Sequence, residues 1–102
     1  MSSEDFEPVC LDEVIHGKLR LGVMAYLSSL DGATFGELRQ RTGATDGNLS
    51  VHLSKLEGAG YISIDKRFVG KRPQTTARMT PKGRDAWIAY LDQMRSLLTG
   101  DA

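Results

Sequence analysis

Only three residues, Thr42-Gly43-Ala44, lie between two segments whose apolar spacing demands helices, and that short joint constrains this chain more than any other feature. Upstream of it, Thr34-Phe35-Gly36-Glu37 has the form of a capping box, in which a threonine hydroxyl takes the amide of the third helical residue and the glutamate there reaches back to the threonine amide. The helix begun this way is short, from about Phe35 to Arg41, with Phe35 and Leu38 turned inward. Gly43 ends it, because glycine enters the left-handed conformation without steric cost. Downstream, Thr45 or Asp46 caps a second helix over residues 45–58, striped by Leu49, Leu53 and Leu56 and stopped by Gly58-Ala59-Gly60. Two short helices across a tight glycine-bearing turn make a helix-turn-helix.

The flanking segments complete the pattern. Asp12 caps a short turn through Ile15, and a helix is expected from about Lys18 to Leu30, closed by Asp31-Gly32. Its apolar residues, among them Leu19 and Val23, cover most of the circumference. Such a helix serves either as the central helix of the monomer or as a bridge between its own core and a second subunit. After residue 60 the period changes to two: Ile62 and Ile64 alternate with Ser63 and Asp65 in a strand from Tyr61 toward Val69. Gly70-Lys71-Arg72-Pro73-Gln74 reads as the turn and Thr75 to Met79 as the returning strand, a hairpin with a basic tip. Thr80-Pro81, a cap residue followed by proline at the first helical position, starts a last helix that runs to Leu98. Its apolar residues span about half the wheel, wider than one core needs, so Trp87, Tyr90, Leu91, Met94, Leu97 and Leu98 are expected to join Leu19 and Val23 in a homodimer interface.

The expected fold class is mainly α with a small β-hairpin: helices, a two-stranded hairpin, then a long C-terminal helix. Residues 1–10, which contain Pro8 and show no periodicity, are expected to form an arm, and 11–98 one domain whose dimerisation helix is 80–98. A chain of 102 residues with 40% hydrophobic content suits that single domain. No apolar run approaches the roughly 20 residues that cross a bilayer, and the acidic start lacks the basic and apolar regions of a signal peptide, so no membrane association and a cytoplasmic location are expected. Cys10 has no cysteine partner, and with only His16 and His52 beside it there is no zinc-binding spacing. No Gly-rich phosphate loop, nucleophile elbow or paired catalytic carboxylates occur. Neither a cofactor nor enzymatic activity is expected.

The formal charge is zero, but it is unevenly spread. Residues 1–34 carry −4, residues 35–84 carry +6 from ten Lys and Arg against Glu37, Asp46, Glu57 and Asp65, and residues 85–102 carry −2. A basic middle between acidic ends suggests one face made for a polyanion. On the second helix of the pair, the side opposite the leucines presents Thr45, Asp46, Gly47, Asn48, Ser50, Val51, Ser54 and Lys55. These are mostly small or polar and leave the helix slim enough for a major groove, where Asn48 can bond bidentately to an adenine edge. Arg67, Lys71 and Arg72 lie at or beside the hairpin tip, within reach of phosphates or a minor groove. Double-stranded DNA is the expected partner. A protein that uses the same basic hairpin to meet an acidic protein is the alternative.

The run Asp46-Gly47-Asn48-Leu49-Ser50-Val51-His52-Leu53-Ser54-Lys55-Leu56-Glu57-Gly58-Ala59-Gly60-Tyr61-Ile62 resembles the recognition helix of winged-helix regulators related to the MarR and ArsR families. Phe68, Lys71-Arg72-Pro73, Thr75-Thr76 and Met79-Thr80-Pro81-Lys82-Gly83-Arg84 are similar to the wing and final helix of that superfamily, so the resemblance spans about residues 11–98. It implies a winged helix-turn-helix and a dimeric transcriptional repressor, with the first and last helices at the interface and two recognition helices in successive major grooves. ArsR-type metal sensing is not expected, since the cysteine and histidine clusters it needs are missing. The extra helices that frame a small-molecule pocket in MarR-type proteins are missing too, which leaves an effector without support in the sequence.

Overall fold

The computed structural model describes residues 11–100; the expected N-terminal arm, with Cys10, lies outside them. In order the elements are α1 (Lys18–Leu27), β1 (Ala33–Thr34), α2 (Phe35–Thr42), α3 (Asp46–Gly58), β2 (Ile62–Val69), β3 (Arg72–Met79) and α4 (Pro81–Thr99). The fold is the α+β winged helix-turn-helix that the sequence leads one to expect, with one strand more than the hairpin.

Local chemistry explains the boundaries. The capping box at α2 is complete: the Glu37 amide donates to Thr34 Oγ1 at 3.1 Å and the Thr34 amide to Glu37 Oε1 at 2.8 Å. Gly43, at φ 71°, then takes the left-handed turn that lets α3 start almost at once. Thr45 caps α3 and Thr80 caps α4, with hydroxyl to amide distances of 3.2 and 2.9 Å. The first helix is shorter than expected, ending at Leu27 instead of Leu30. Tertiary contact sets that end, because the Ser28 carbonyl accepts a 2.7 Å bond from Arg84 of α4.

The three strands are antiparallel in the order β1-β3-β2. β1 was not expected; two residues carry no period, and Ala33 and Thr34 pair with Ala77 and Thr76 only because the chain passes β3 there. The wing is also longer than expected. Val69 pairs with Arg72, so Arg72-Pro73-Gln74 belong to β3, not to the turn, which is Gly70-Lys71 alone. Gly70 has φ 66° and Lys71 a negative φ, the signature of a type II′ hairpin turn. Proline is tolerated at position 73 because β1 pairs with β3 only at 76–77, leaving that stretch an edge.

Ile15, Val23, Met24, Leu27, Leu38, Leu49, Leu53, Leu56, Ile62, Trp87 and Tyr90 form the core, joined by Ala33 and Ala77. Ile15 reaches it because Asp12 Oδ1 accepts the amides of Val14 and Ile15 at 2.8 and 3.3 Å, bending the chain inward before α1. The other Asp12 oxygen accepts a short hydrogen bond from the Tyr61 hydroxyl. That bond, with burial and the Asp12 charge, pushes the phenol up to about 12, so Tyr61 stays a donor at neutral pH.

Candidate nucleic-acid interface

α3 divides cleanly into two sides. Leu49, Leu53 and Leu56 are buried, whereas Asp46, Gly47, Asn48, Ser50, Val51, Ser54, Lys55 and Glu57 are exposed. Not all of the exposed residues are available to a ligand. The Thr45 hydroxyl is occupied as the helix cap, and Asp46 meets Arg39 of α2 at 2.9 Å. Both partners of that ion pair are more than half exposed, so it contributes less than about 1 kcal/mol and a polyanion can draw Arg39 away. The face left for contact runs from Asn48 through Ser50, Val51 and Ser54 to Lys55.

The orientation of α3 is fixed from behind by Arg20 of α1. Its Nε donates to the Val14 carbonyl at 2.6 Å and its Nη2 to Glu13 O at 3.4 Å, while Nη1 lies 2.7 Å from Nδ1 of His52. A guanidinium only donates, so Nδ1 must accept, and the imidazole is neutral with its proton on Nε2. Burial, together with the charges of Arg20 and Lys55, holds the His52 pKa below 6.5. The unfolded chain therefore binds more protons than the native one just below pH 6.5, and stability falls as pH drops from 6.5 toward the lower native value. Thermal unfolding at pH 7.5 and 5.5 checks this: the midpoint should fall on acidification, and the fall should be smaller in His52→Gln. An equal fall in both proteins would move the proton uptake to another group.

The wing presents two faces set by strand parity. Ile62, Ile64, Lys66 and Phe68 alternate with Ser63, Asp65, Arg67 and Val69. Lys66 and Thr75, paired across the strands, share a cleft of about 520 Å³ with Ser50, Ser54 and Glu57 of α3, so one face of the ribbon adjoins the exposed side of α3. Lys66 is a basic residue that the sequence reading missed. Its parity with Ile62 and Ile64 was the signal that could have found it. Arg67 is on the other face, where its guanidinium meets Asp65 at 2.8 Å and holds that carboxyl below the usual range. Lys66, Lys71 and Arg72 have no carboxylate partner among the described residues.

The residues expected at a dimer interface separate into two groups. Val23, Trp87 and Tyr90 are in the chain's own core: Val23 is fully buried, and Tyr90, stacked on Trp87 at 6.0 Å, has its hydroxyl 2.9 Å from Nδ1 of His16. Leu19 and Met94 are half-buried, while Leu91, Leu97 and Leu98 are exposed, as is Ile88, which the sequence reading omitted. The apolar stripe of α4 thus packs on its own domain in the first half of the helix and continues uncovered in the second. A second cleft, of about 660 Å³, opens over α1 where Arg41 lies 4.9 Å from the centre of the Tyr26 ring. Among the described residues no group of three or more His, Cys, Asp or Glu is placed to hold a metal, and no helix is long and apolar enough to cross a membrane.

Comparison with known proteins adds to this geometry. Residues 19–98 match the family described as winged helix DNA-binding domain. An uncharacterized protein of Methanocaldococcus jannaschii is 32% identical over 85 residues, which is 83% of this chain and 92% of the relative. Among solved structures, a transcriptional regulator homologue from Pyrococcus horikoshii superposes with a TM-score of 0.83 at 25% identity, covering 95% of this chain and 96% of the other. The DNA complex of MepR from S. aureus superposes with a TM-score of 0.67 at 17% identity over 97% of this chain and 74% of that one, a likeness of fold.

Proposed function

The chain belongs to the winged helix DNA-binding domain family, and from there we propose that it is a sequence-specific transcriptional regulator of the MarR type that acts on duplex DNA as a homodimeric repressor. In this reading α3 lies in the major groove with Asn48, Ser50 and Ser54 toward the bases, and Lys66, Lys71 and Arg72 of the wing neutralise phosphates beside it. The observation that supports it best is the adjacency of two unlike surfaces. A slim polar helix face and the wing's Lys66, which like Lys71 and Arg72 has no carboxylate partner among the described residues, border one cleft. A helix without the wing would be an ordinary solvated surface, and the wing without the helix would bind any polyanion.

The homodimer is supported by the uncovered half of α4. Leu91 is 45% exposed, Leu97 50% and Leu98 78%, so covering them would add about half or more of the roughly 1.5–3 kcal/mol that full burial of a leucine contributes. A homodimer that reads duplex DNA with both α3 helices presents them on one side of its twofold axis, which calls for palindromic half-sites about 34–36 Å apart. Leu91→Glu is expected to give a folded monomer, because a carboxylate would be trapped in the apolar seam. An intact dimer in sedimentation would place the interface elsewhere.

The test is fluorescence anisotropy of labelled duplexes recovered by the full-length protein from a randomised pool, titrated against scrambled controls at several salt concentrations. The expected result is tight, salt-sensitive binding that prefers the recovered sequences. Asn48→Ala should lower that preference by about 10-fold, within the roughly 1–3 kcal/mol that a bidentate base contact contributes, while leaving binding to scrambled DNA unchanged. The formal charge of zero favours one other reading, in which the wing meets an acidic protein. No recovery of DNA at any salt concentration would point to it.

A further inference from the structure

Phe68 is the most exposed aromatic side chain among the described residues, 73% accessible, on a strand paired along its whole length. The neighbouring Val69 is 55% accessible. Leaving a phenylalanine in water where the hairpin could carry a polar residue forgoes the stabilisation its burial would bring. The ring is on a strand and not in a loop: Phe68 pairs with Pro73, two residues before the Gly70-Lys71 turn begins, at the far end of the wing from the core. Strand parity puts it on the face of the ribbon that carries Lys66 and that borders α3 across the cleft. From Lys66 to Thr75 the chain has four cations and no carboxylate. The apolar tip is thus surrounded by positive charge, which disfavours another apolar protein surface with its own cations, a second copy of this wing included, and favours a polyanion with apolar elements inside it. Duplex DNA has that make-up in its minor groove, where phosphates line the rims and sugars and base edges form the walls.

We propose that Phe68 is an apolar wedge that enters the minor groove next to the sequence read by α3, opens a base step there, and thereby selects deformable pyrimidine–purine steps at a position where no hydrogen bond reads the sequence. The inference rests on the DNA-binding reading above. Its physical basis is that an aromatic or aliphatic side chain inserted from the minor groove partly unstacks one step, and the energy this takes depends on the step, lowest for TA and CA and high within stiff A-tracts. Lys66, Lys71 and Arg72 hold the wing against the rims of the groove, and their contacts are blind to sequence. Phe68 adds the discrimination that cations cannot supply.

The test uses the full-length protein and its recovered duplexes, with the step under the wing set to TA or embedded in an A-tract and with 2-aminopurine in place of one adenine of the step. The wild-type protein should bind the TA duplex about 10-fold more tightly than the A-tract duplex, a difference of the size that groove deformation imposes, and 2-aminopurine emission should rise on binding as the base loses its stack. Phe68→Ala should erase both the preference and the emission change. It should keep the salt dependence, because the cations remain, and the thermal midpoint, because the side chain is exposed. Phe68→Leu, still an apolar wedge, should restore most of the preference. Unchanged preference and emission in Phe68→Ala would overturn the proposal and leave the DNA-binding reading intact, whereas loss of the dimer in that variant would assign Phe68 to a protein contact and overturn it too. Failure of the wild-type protein to bind any duplex would overturn the DNA reading itself, and this inference with it.

Discussion

Replacing Lys71 and Arg72 together by glutamine is expected to weaken binding to every duplex, specific or scrambled, by about 10³-fold at physiological salt. The estimate follows from counterion release. Each phosphate contact contributes about 0.9 to the slope of log K against log salt, and the proposed dimer would lose four such contacts, so the slope should become shallower by about 4. Neither residue has a carboxylate partner among the described residues that would offset the loss. Arg67→Gln supplies the contrast. Its guanidinium already lies 2.8 Å from Asp65 on the other face of the ribbon, so its removal should change the slope by much less. Titrations of the three proteins from 50 to 300 mM salt decide the matter. Equal slopes for wild type and the double variant would remove the wing tip from the interface, and an Arg67 effect as large as the others would mean that DNA breaks the ion pair.

The second large effect is on folding. Gly83→Ala is expected to destabilise the domain by about 3 kcal/mol or more, which for a chain of this size lowers the thermal midpoint by about 12–24 °C. On helix propensity alone the exchange should help by about 1 kcal/mol, since alanine is the better helix former. Contact decides otherwise. A Cβ at position 83 would lie 2.0 Å from the Tyr61 carbonyl oxygen and 2.8 Å from its carbon, and backbone atoms cannot swing aside as a side chain can. The same carbonyl accepts the Thr80 amide at 3.0 Å, while the Thr80 hydroxyl donates to Gly60 O at 2.6 Å, so the start of α4 is fastened to the end of α3 at this point. Relief of the clash would lift α4 and with it Trp87 and Tyr90 out of the core. A midpoint within a degree or two of the wild type would show that α4 does not approach Tyr61 so closely.

The elements that were legible in the sequence share a physical trait. The capping box at Thr34 and Glu37, the caps at Thr45 and Thr80 and the proline at the start of α4 all act within three residues, so a sequence contains the whole interaction. The leucine stripe of α3 was legible because one helix face meets one core. The fate of the α4 stripe was not. Trp87, Tyr90, Leu91 and Leu98 look alike on a helical wheel, yet the first two are buried and the last two are exposed. A wheel records direction but not how far along the axis the rest of the domain extends. The wing shows the same division. Its period of two was visible and by parity alone sets Lys66 with Ile62 and Ile64 and Arg67 with Asp65, but that the face of Lys66 borders α3 became known only from how the wing packs.

By itself, then, the sequence determined the order and type of the elements, the helix-turn-helix at their centre and the polar face of its second helix, because caps, turns and hydrophobic periods are short-range and leave their mark in neighbouring residues. Tertiary structure alone decided the remainder: the third strand, the Arg84 bond that ends α1, the burial and Arg20 contact that disfavour the charged form of His52 on α3, and the cleft that brings Lys66 beside Ser50 and Ser54. Each of these joins residues far apart in the chain, where burial and distance depend on how whole elements pack and no local preference encodes the partner.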